Sequence, residues 1–162
     1  MTSIDLKKLK NLCEIKQIKI SLAESCTGGL VSSSITSIAG SSNFFDSAII
    51  SYSNKAKVEL LGINKNLILK HGAVSKEVAL SMAKNLYRLT KSQICASITG
   101  IAGPGGGSKQ KPIGTVYFSI YKKIGNEIEM NNYKKRFNFK NRITIQKKSN
   151  EFLLKQLISV ID

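Results

Sequence analysis

Ile18-Lys19-Ile20-Ser21-Leu22-Ala23 alternates apolar and polar residues and runs straight into Glu24-Ser25-Cys26-Thr27-Gly28-Gly29. The alternation predicts a strand over Gln17–Ala23, because successive side chains of a strand point to opposite faces. The paired glycines break it, and Leu30–Ile38 then takes on helical character until Ala39-Gly40. A strand, a tight glycine turn and a helix form the opening half of a βαβ unit.

The same alternation of elements continues outward. Asp5–Lys16 is expected to be a helix, and Ser41-Ser42-Asn43 offers an N-cap for a short helical turn. Ala48–Ser53 reads as a second strand, followed by a helix over Asn54–Leu61 closed by Gly62. Ser75 is placed to cap a helix reaching Leu89, with Glu77 in its first turn and Val78, Ala79, Met82, Ala83 and Leu86 as its buried stripe. Ile94–Thr99 is a strand that ends in the glycine-rich run Gly100–Gly107. Thr115–Tyr121 and Ile128–Phe139 pair through Gly125-Asn126, and a helix over about Thr144–Val160 closes the pattern. These elements predict one α/β domain over residues 1–162: a three-layer α/β/α sandwich with a mixed, mostly parallel sheet of about five strands.

Composition narrows the function classes. No apolar run approaches the roughly 20 residues of a membrane span, and Met1–Lys10 lacks the pattern of a secretory leader, so a cytoplasmic protein with no membrane partner is expected. Cys13, Cys26, Cys95 and the single His71 make no metal-ligand spacing, so no metal and no cofactor are expected. The net charge of +15 raises nucleic acid as a partner, but only Arg88, Arg136 and Arg142 are arginines. The lysines are scattered, as on a solvated surface, and the expectation is no nucleic acid. Such a surface still attracts small anions.

Two loops follow predicted strands, and in an open α/β sheet ligands bind beyond the carboxyl ends of strands. Glu24–Gly29 opens a helix, where backbone N–H groups and the dipole favour anions. Gly100–Gly107 has glycines enough for a nest of N–H groups, though it lacks the ending of a phosphate-binding P-loop. A serine nucleophile in the first loop needs a base, either His71 or a lysine kept neutral. Spacing alone does not choose the lysine.

Six blocks choose it together. Ala23–Gly29, Ala39–Ser42 with Phe45, Tyr52–Asn54 before Ala56-Lys57, His71–Ser75, Thr99–Pro104, and Gly106-Gly107 continuing through Lys111–Val116 resemble, in order and spacing, the CinA carboxy-terminal domain family. The resemblance covers about residues 5–160. It implies the stand-alone PncC-type form, without the molybdopterin-binding-like domain of longer members. It also implies hydrolysis of the carboxamide of nicotinamide mononucleotide, a small-molecule nucleotide substrate, and a homo-oligomer. It carries over Ser25 as nucleophile, Lys57 as base and Tyr52 as an assisting group. Thr27, Gly28, Gly29, Asn54, Thr99, Gly100, Gly103, Gly105 and Gly106 are then expected to bind substrate, some as N–H donors to an oxyanion or phosphate. Cys26 is the competing nucleophile. The family tends to have two arginines near the carboxy terminus, whereas here Arg142 is followed by Gln146.

Overall fold

A computed structural model describes residues 3–162, with side chains from Asp5 onward. The elements are α1 (Ser3–Ile15), β1 (Ile20–Glu24), α2 (Leu30–Thr36), β2 (Phe45–Ile50), α3 (Asn54–Leu61), α4 (Lys65–His71), α5 (Lys76–Thr90), β3 (Ile94–Gly100), β4 (Thr115–Ile124), β5 (Glu127–Arg136) and α6 (Arg142–Ile161). The sheet has the order β2-β1-β3-β4-β5. β1 pairs parallel with β2 and β3, and the β3–β4 and β4–β5 pairs are antiparallel. Four of the five strands therefore point the same way, and the mixed sheet expected from the sequence is present.

The pleat assigns the two cores. Ile20 and Leu22 of β1, Ile94, Ala96 and Ile98 of β3, and Val116, Phe118 and Ile120 of β4 all point to one face, where they pack with α1, α2 and α6. Ala23 and Cys95, one residue out of phase, point to the other face and meet Leu61, Ile63, Val78, Met82 and Leu86. Each fully buried Leu, Ile or Met contributes about 1.5–3 kcal/mol. Helices on both faces make the three-layer sandwich. Among the described residues no helix is long and apolar enough to cross a membrane.

Caps explain most element starts. The Ser75 side chain accepts from the Val78 N–H, as expected, and Ser53 and Asn141 cap α3 and α6 in the same way. Several boundaries differ from the sequence reading. Ser41–Asn43 is itself a 3-10 turn, entered through Gly40 at φ 79, instead of capping one. β2 lies three residues earlier, because Ser53 leaves the ladder to cap α3. β5 stops at Arg136. α4 was not expected at all: Leu67-Ile68-Leu69 shows no helical period, and Asn64 supplies the cap. His71 closes that helix and does not sit in a surface turn.

The segment between β3 and β4 is held at both ends. The Gly114 N–H donates to Ile101 O at 2.7 Å, and the Phe137 N–H donates to Gly114 O at 2.9 Å. Gly114 has φ +87, and a Cβ there would collide with the Phe137 carbonyl oxygen. Gly114→Ala should therefore cost about 3 kcal/mol through strain and displacement of this segment. Urea denaturation measures the cost, and an unchanged midpoint would contradict the account.

Candidate active site

The site forms at the carboxyl end of β1. The Ser25 N–H continues the ladder by donating to Ile98 O at 3.0 Å, so the pleat still governs residues 24 and 25. Glu24 follows Leu22 towards α2, and Ser25 follows Ala23 towards α3. Capped by Ser53, α3 carries Lys57 onto that second face, where its side chain is 1% exposed. Lys57 Nζ donates to Ser25 Oγ at 2.8 Å and to the Ser51 carbonyl at 2.7 Å. No carboxylate forms an ion pair with it among the described residues. Burial pushes its ammonium down from the ordinary value to about 8, with Cys26 pulling the other way. A lysine poised this way exchanges a proton with a serine hydroxyl near neutral pH.

Glu24 does different work. Its carboxylate is fully buried and accepts from Thr27 Oγ1 at 2.7 Å, Gly29 N at 3.0 Å, Val31 N at 3.2 Å, Ser32 N at 2.8 Å and Ser32 Oγ at 2.5 Å. It thus satisfies the amino-terminal donors of α2 from within the chain. This corrects the expectation that Thr27, Gly28 and Gly29 all present donors to a ligand. The Thr27 hydroxyl and the Gly29 N–H belong to Glu24, and the Gly28 N–H donates to Ser25 O at 3.1 Å. Gly29 instead supplies the positive φ of 97 that the turn requires, with Ile50 close against it. Among the described residues the N–H groups of Cys26 and Thr27 bond to no other residue, the Cys26 N–H lying against its own thiol, and both adjoin Ser25 in the chain. Glu24 went unnoticed in the sequence; its signal was a carboxylate five residues before a helix cap position, Gly29, that is not Ser, Thr, Asp or Asn.

The remaining expected residues divide. Tyr52 is 58% exposed, and its hydroxyl accepts from Arg142 Nη2 at 2.6 Å, with no hydrogen bond to Ser25 or Lys57. Arg142 Nη1 donates to Gly103 O at 2.8 Å, so one guanidinium joins Tyr52 to the glycine-rich loop. Gln146 Nε2 donates to Cys26 O at 2.8 Å, making α6 a support for the turn that carries Ser25. Thr99 is buried with its hydroxyl donating to Ala73 O, and Gly100 is the last residue of β3. Gly103, Gly105 and Gly106 lie in the loop beyond it. Asn54 opens α3 but lines the groove towards α4 with Val58 and Leu69. Burial pushes the Cys26 thiol up to about 12, so little of it is thiolate near neutral pH. His71 faces Glu77 at 3.7 Å. Among the described residues no cluster of His, Cys, Asp and Glu could hold a metal ion.

Comparison with known proteins agrees with this arrangement of elements. The profile of the CinA C-terminal domain matches residues 4–161, and the chain belongs to that family. A CinA-like protein of Prochlorococcus marinus subsp. pastoris is 51% identical over 142 residues, which cover 87% of this chain and 32% of that protein. A CinA-like protein of Syntrophobacter fumaroxidans is 54% identical over 98 residues, 60% of this chain and 23% of that protein. The chain spans about a third or less of the length of these curated relatives. The crystal structure of the competence/damage inducible protein CihA from Agrobacterium tumefaciens superposes with a TM-score of 0.89 at 32% identity, covering 98% of this chain and 96% of that one. A CinA superfamily protein from Klebsiella pneumoniae shares the fold, with a TM-score of 0.90 at 24% identity, covering 98% and 96% of the two chains.

Glu24→Gln tests the internal cap. A glutamine offers one acceptor oxygen to five donors and turns its own NH2 towards some of them. The substitution should destabilise the chain by about 2–4 kcal/mol in chemical denaturation. A loss within 0.5 kcal/mol of zero would mean that water or another group serves α2 equally well.

Proposed function

We propose that this member of the CinA C-terminal domain family is an amidohydrolase that converts nicotinamide mononucleotide to nicotinate mononucleotide and ammonia. The observation that carries the reading is the buried 2.8 Å contact between Lys57 Nζ and Ser25 Oγ. The blocks that resemble the family's amidase branch support the choice of substrate.

Each residue then has a role. Neutral Lys57 accepts the Ser25 proton as Oγ attacks the carboxamide carbon. Negative charge that develops on the carboxamide oxygen meets the N–H groups of Cys26 and Thr27, which serve as oxyanion donors. Lys57 passes its proton to the departing nitrogen, the C–N bond breaks, and ammonia leaves an ester on Ser25. Water, deprotonated by Lys57, attacks that ester, and the proton returns to Ser25 Oγ as the carboxylic acid is released. The Ser51 carbonyl keeps the amine aimed at Ser25 in both halves of the cycle. Tyr52 acts through Arg142, holding the loop that carries Gly103.

Ammonia release from nicotinamide mononucleotide by the purified protein is the primary measurement, and no release above background would sink the reading. Ser25→Ala and Lys57→Ala should each lower turnover by at least about a thousand-fold, with the double variant little worse, because the pair acts as a unit. Lys57→Arg should not rescue, since a guanidinium does not accept the proton. The pH profile follows from the direction of the Lys57 shift: the inactive ammonium predominates below its value of about 8. The rate should therefore rise with pH, about ten-fold per unit on the acid side, and level off above that value. A rate that falls across this range, or near-normal turnover by Lys57→Arg, would place the base elsewhere.

A further inference from the structure

A buried hydroxyl beside the site has no bond. Ser51 is fully buried, and its Oγ finds no hydrogen-bond partner among the described residues. Its backbone is fully engaged: the N–H donates to Glu24 O at 2.8 Å, and the carbonyl accepts from Lys57 Nζ at 2.7 Å. The first of these bonds continues the β1–β2 ladder past Glu24 and Ile50, so Ser51 stands opposite Ser25. Two residues earlier, Ile49 and Ala23 are paired and both meet the core under α3 and α5. Alternation therefore brings the Ser51 side chain out on the face that holds Ser25 Oγ and Lys57 Nζ. On the other flank of Ser25, β3 supplies Thr99, but that hydroxyl already donates to Ala73 O. An ammonium carries three N–H donors. Lys57 directs two of them to Ser25 Oγ and the Ser51 carbonyl, and among the described residues the third has no acceptor.

We infer that the Ser51 hydroxyl is the third acceptor of the Lys57 ammonium, brought into contact by rotation about its χ1 once the amine has taken a proton. The inference rests on the reading of Lys57 as proton carrier and deepens it: Ser51 is a positioning residue that acts through the amine. A hydroxyl oxygen supports the protonated lysine more than the neutral one. The contact therefore strengthens as the proton leaves Ser25 and relaxes as it passes to the departing nitrogen. That timing gives the unbonded hydroxyl a use, where alanine would fill the same space with no polar group to satisfy. The charged and titratable groups around Lys57 offer no substitute. Glu24 lies on the opposite face of the sheet with the amino terminus of α2. The Cys26 thiol acts on the amine from the turn after β1, and burial keeps that thiol protonated near neutral pH. On α3 itself Lys55 faces Glu59 at the surface, and the Tyr52 hydroxyl is bonded to Arg142. His71 of α4 faces Glu77 of α5, and α5 turns Val78, Met82 and Leu86 to this core.

An NMR titration of Lys57 in the whole chain, labelled with 13C at the lysine Cε, tests this without substrate. The Lys57 resonance is the one missing from the spectrum of Lys57→Arg. In Ser51→Ala its midpoint should fall by about one pH unit, because the ammonium loses an acceptor. Ser51→Thr keeps the hydroxyl and should titrate as the parent does. Ser97→Ala removes another buried hydroxyl from the same face, one that donates to Ala79 O, and should leave the midpoint in place. An unmoved midpoint in Ser51→Ala would overturn the assignment. So would a rise, which would mean that the hydroxyl donates to the neutral amine, or an equal fall in Ser97→Ala, which would make the effect one of packing. Kinetics supplies a second arm: the acid limb of kcat/KM for nicotinamide mononucleotide should move to lower pH with the midpoint in Ser51→Ala and hold in Ser51→Thr. A limb that does not follow the midpoint would overturn the role of Ser51 in the reaction. Absence of ammonia would refute the amidase reading instead, and the Lys57 titration decides the contact regardless.

Discussion

The pleat of β1 keeps a buried carboxylate away from a buried amine. Glu24 and Ser25 are adjacent in sequence and emerge on opposite faces of the sheet. If Glu24 shared the Ser25 face, its carboxylate would pair with Lys57 and hold the amine as ammonium. The sheet itself is the insulator. Lys57 is left with a hydroxyl, a carbonyl and apolar walls, and burial does the rest.

That separation also redistributes the work of binding anions. A helix start after a glycine turn is the feature that sequence logic singles out for a negative ligand. Here the chain brings its own carboxylate to that point, and Val31 and Ser32 serve it. The turn keeps the N–H groups of Cys26 and Thr27, which adjoin Ser25 in the chain. Beyond β3, Gly105, Gly106 and Gly107 lie beside Lys109, Arg136 and Lys140. The net charge of +15 is thus mostly dispersed, with one place where its geometry is organised.

Legibility tracked the physics of each element. β1, β3 and α5 were readable because a single period fixed their buried faces: Ile20 and Leu22 against Ala23, and Val78, Met82 and Leu86 in one stripe. α4 was not, since Leu67-Ile68-Leu69 carries no period and the helix stands on its Asn64 cap and its packing under α5. The shift of β2 came from Ser53, whose hydroxyl prefers a helix cap to a place in an edge strand. In the site, the Ser25–Lys57 pairing came through resemblance to a family, because a separation of 32 positions carries no spacing rule. The bonds of Glu24 and the bridge from Arg142 to Tyr52 depend on side-chain directions that only tertiary packing sets.

The strand order β2-β1-β3 means that β1 waits. Its partner on one side, β2, follows after a single short helix, but the other edge is completed only when Ile94–Gly100 has been made and has paired with it. During synthesis at about 5–20 residues per second, that edge stays open for several seconds. Within β1 only Ser21 interrupts Ile20, Leu22 and Ala23, and no charge comes before Glu24, the kind of strand that recruits stray partners. The strand that places Ser25 is therefore also the one that most needs shielding while the chain is being born.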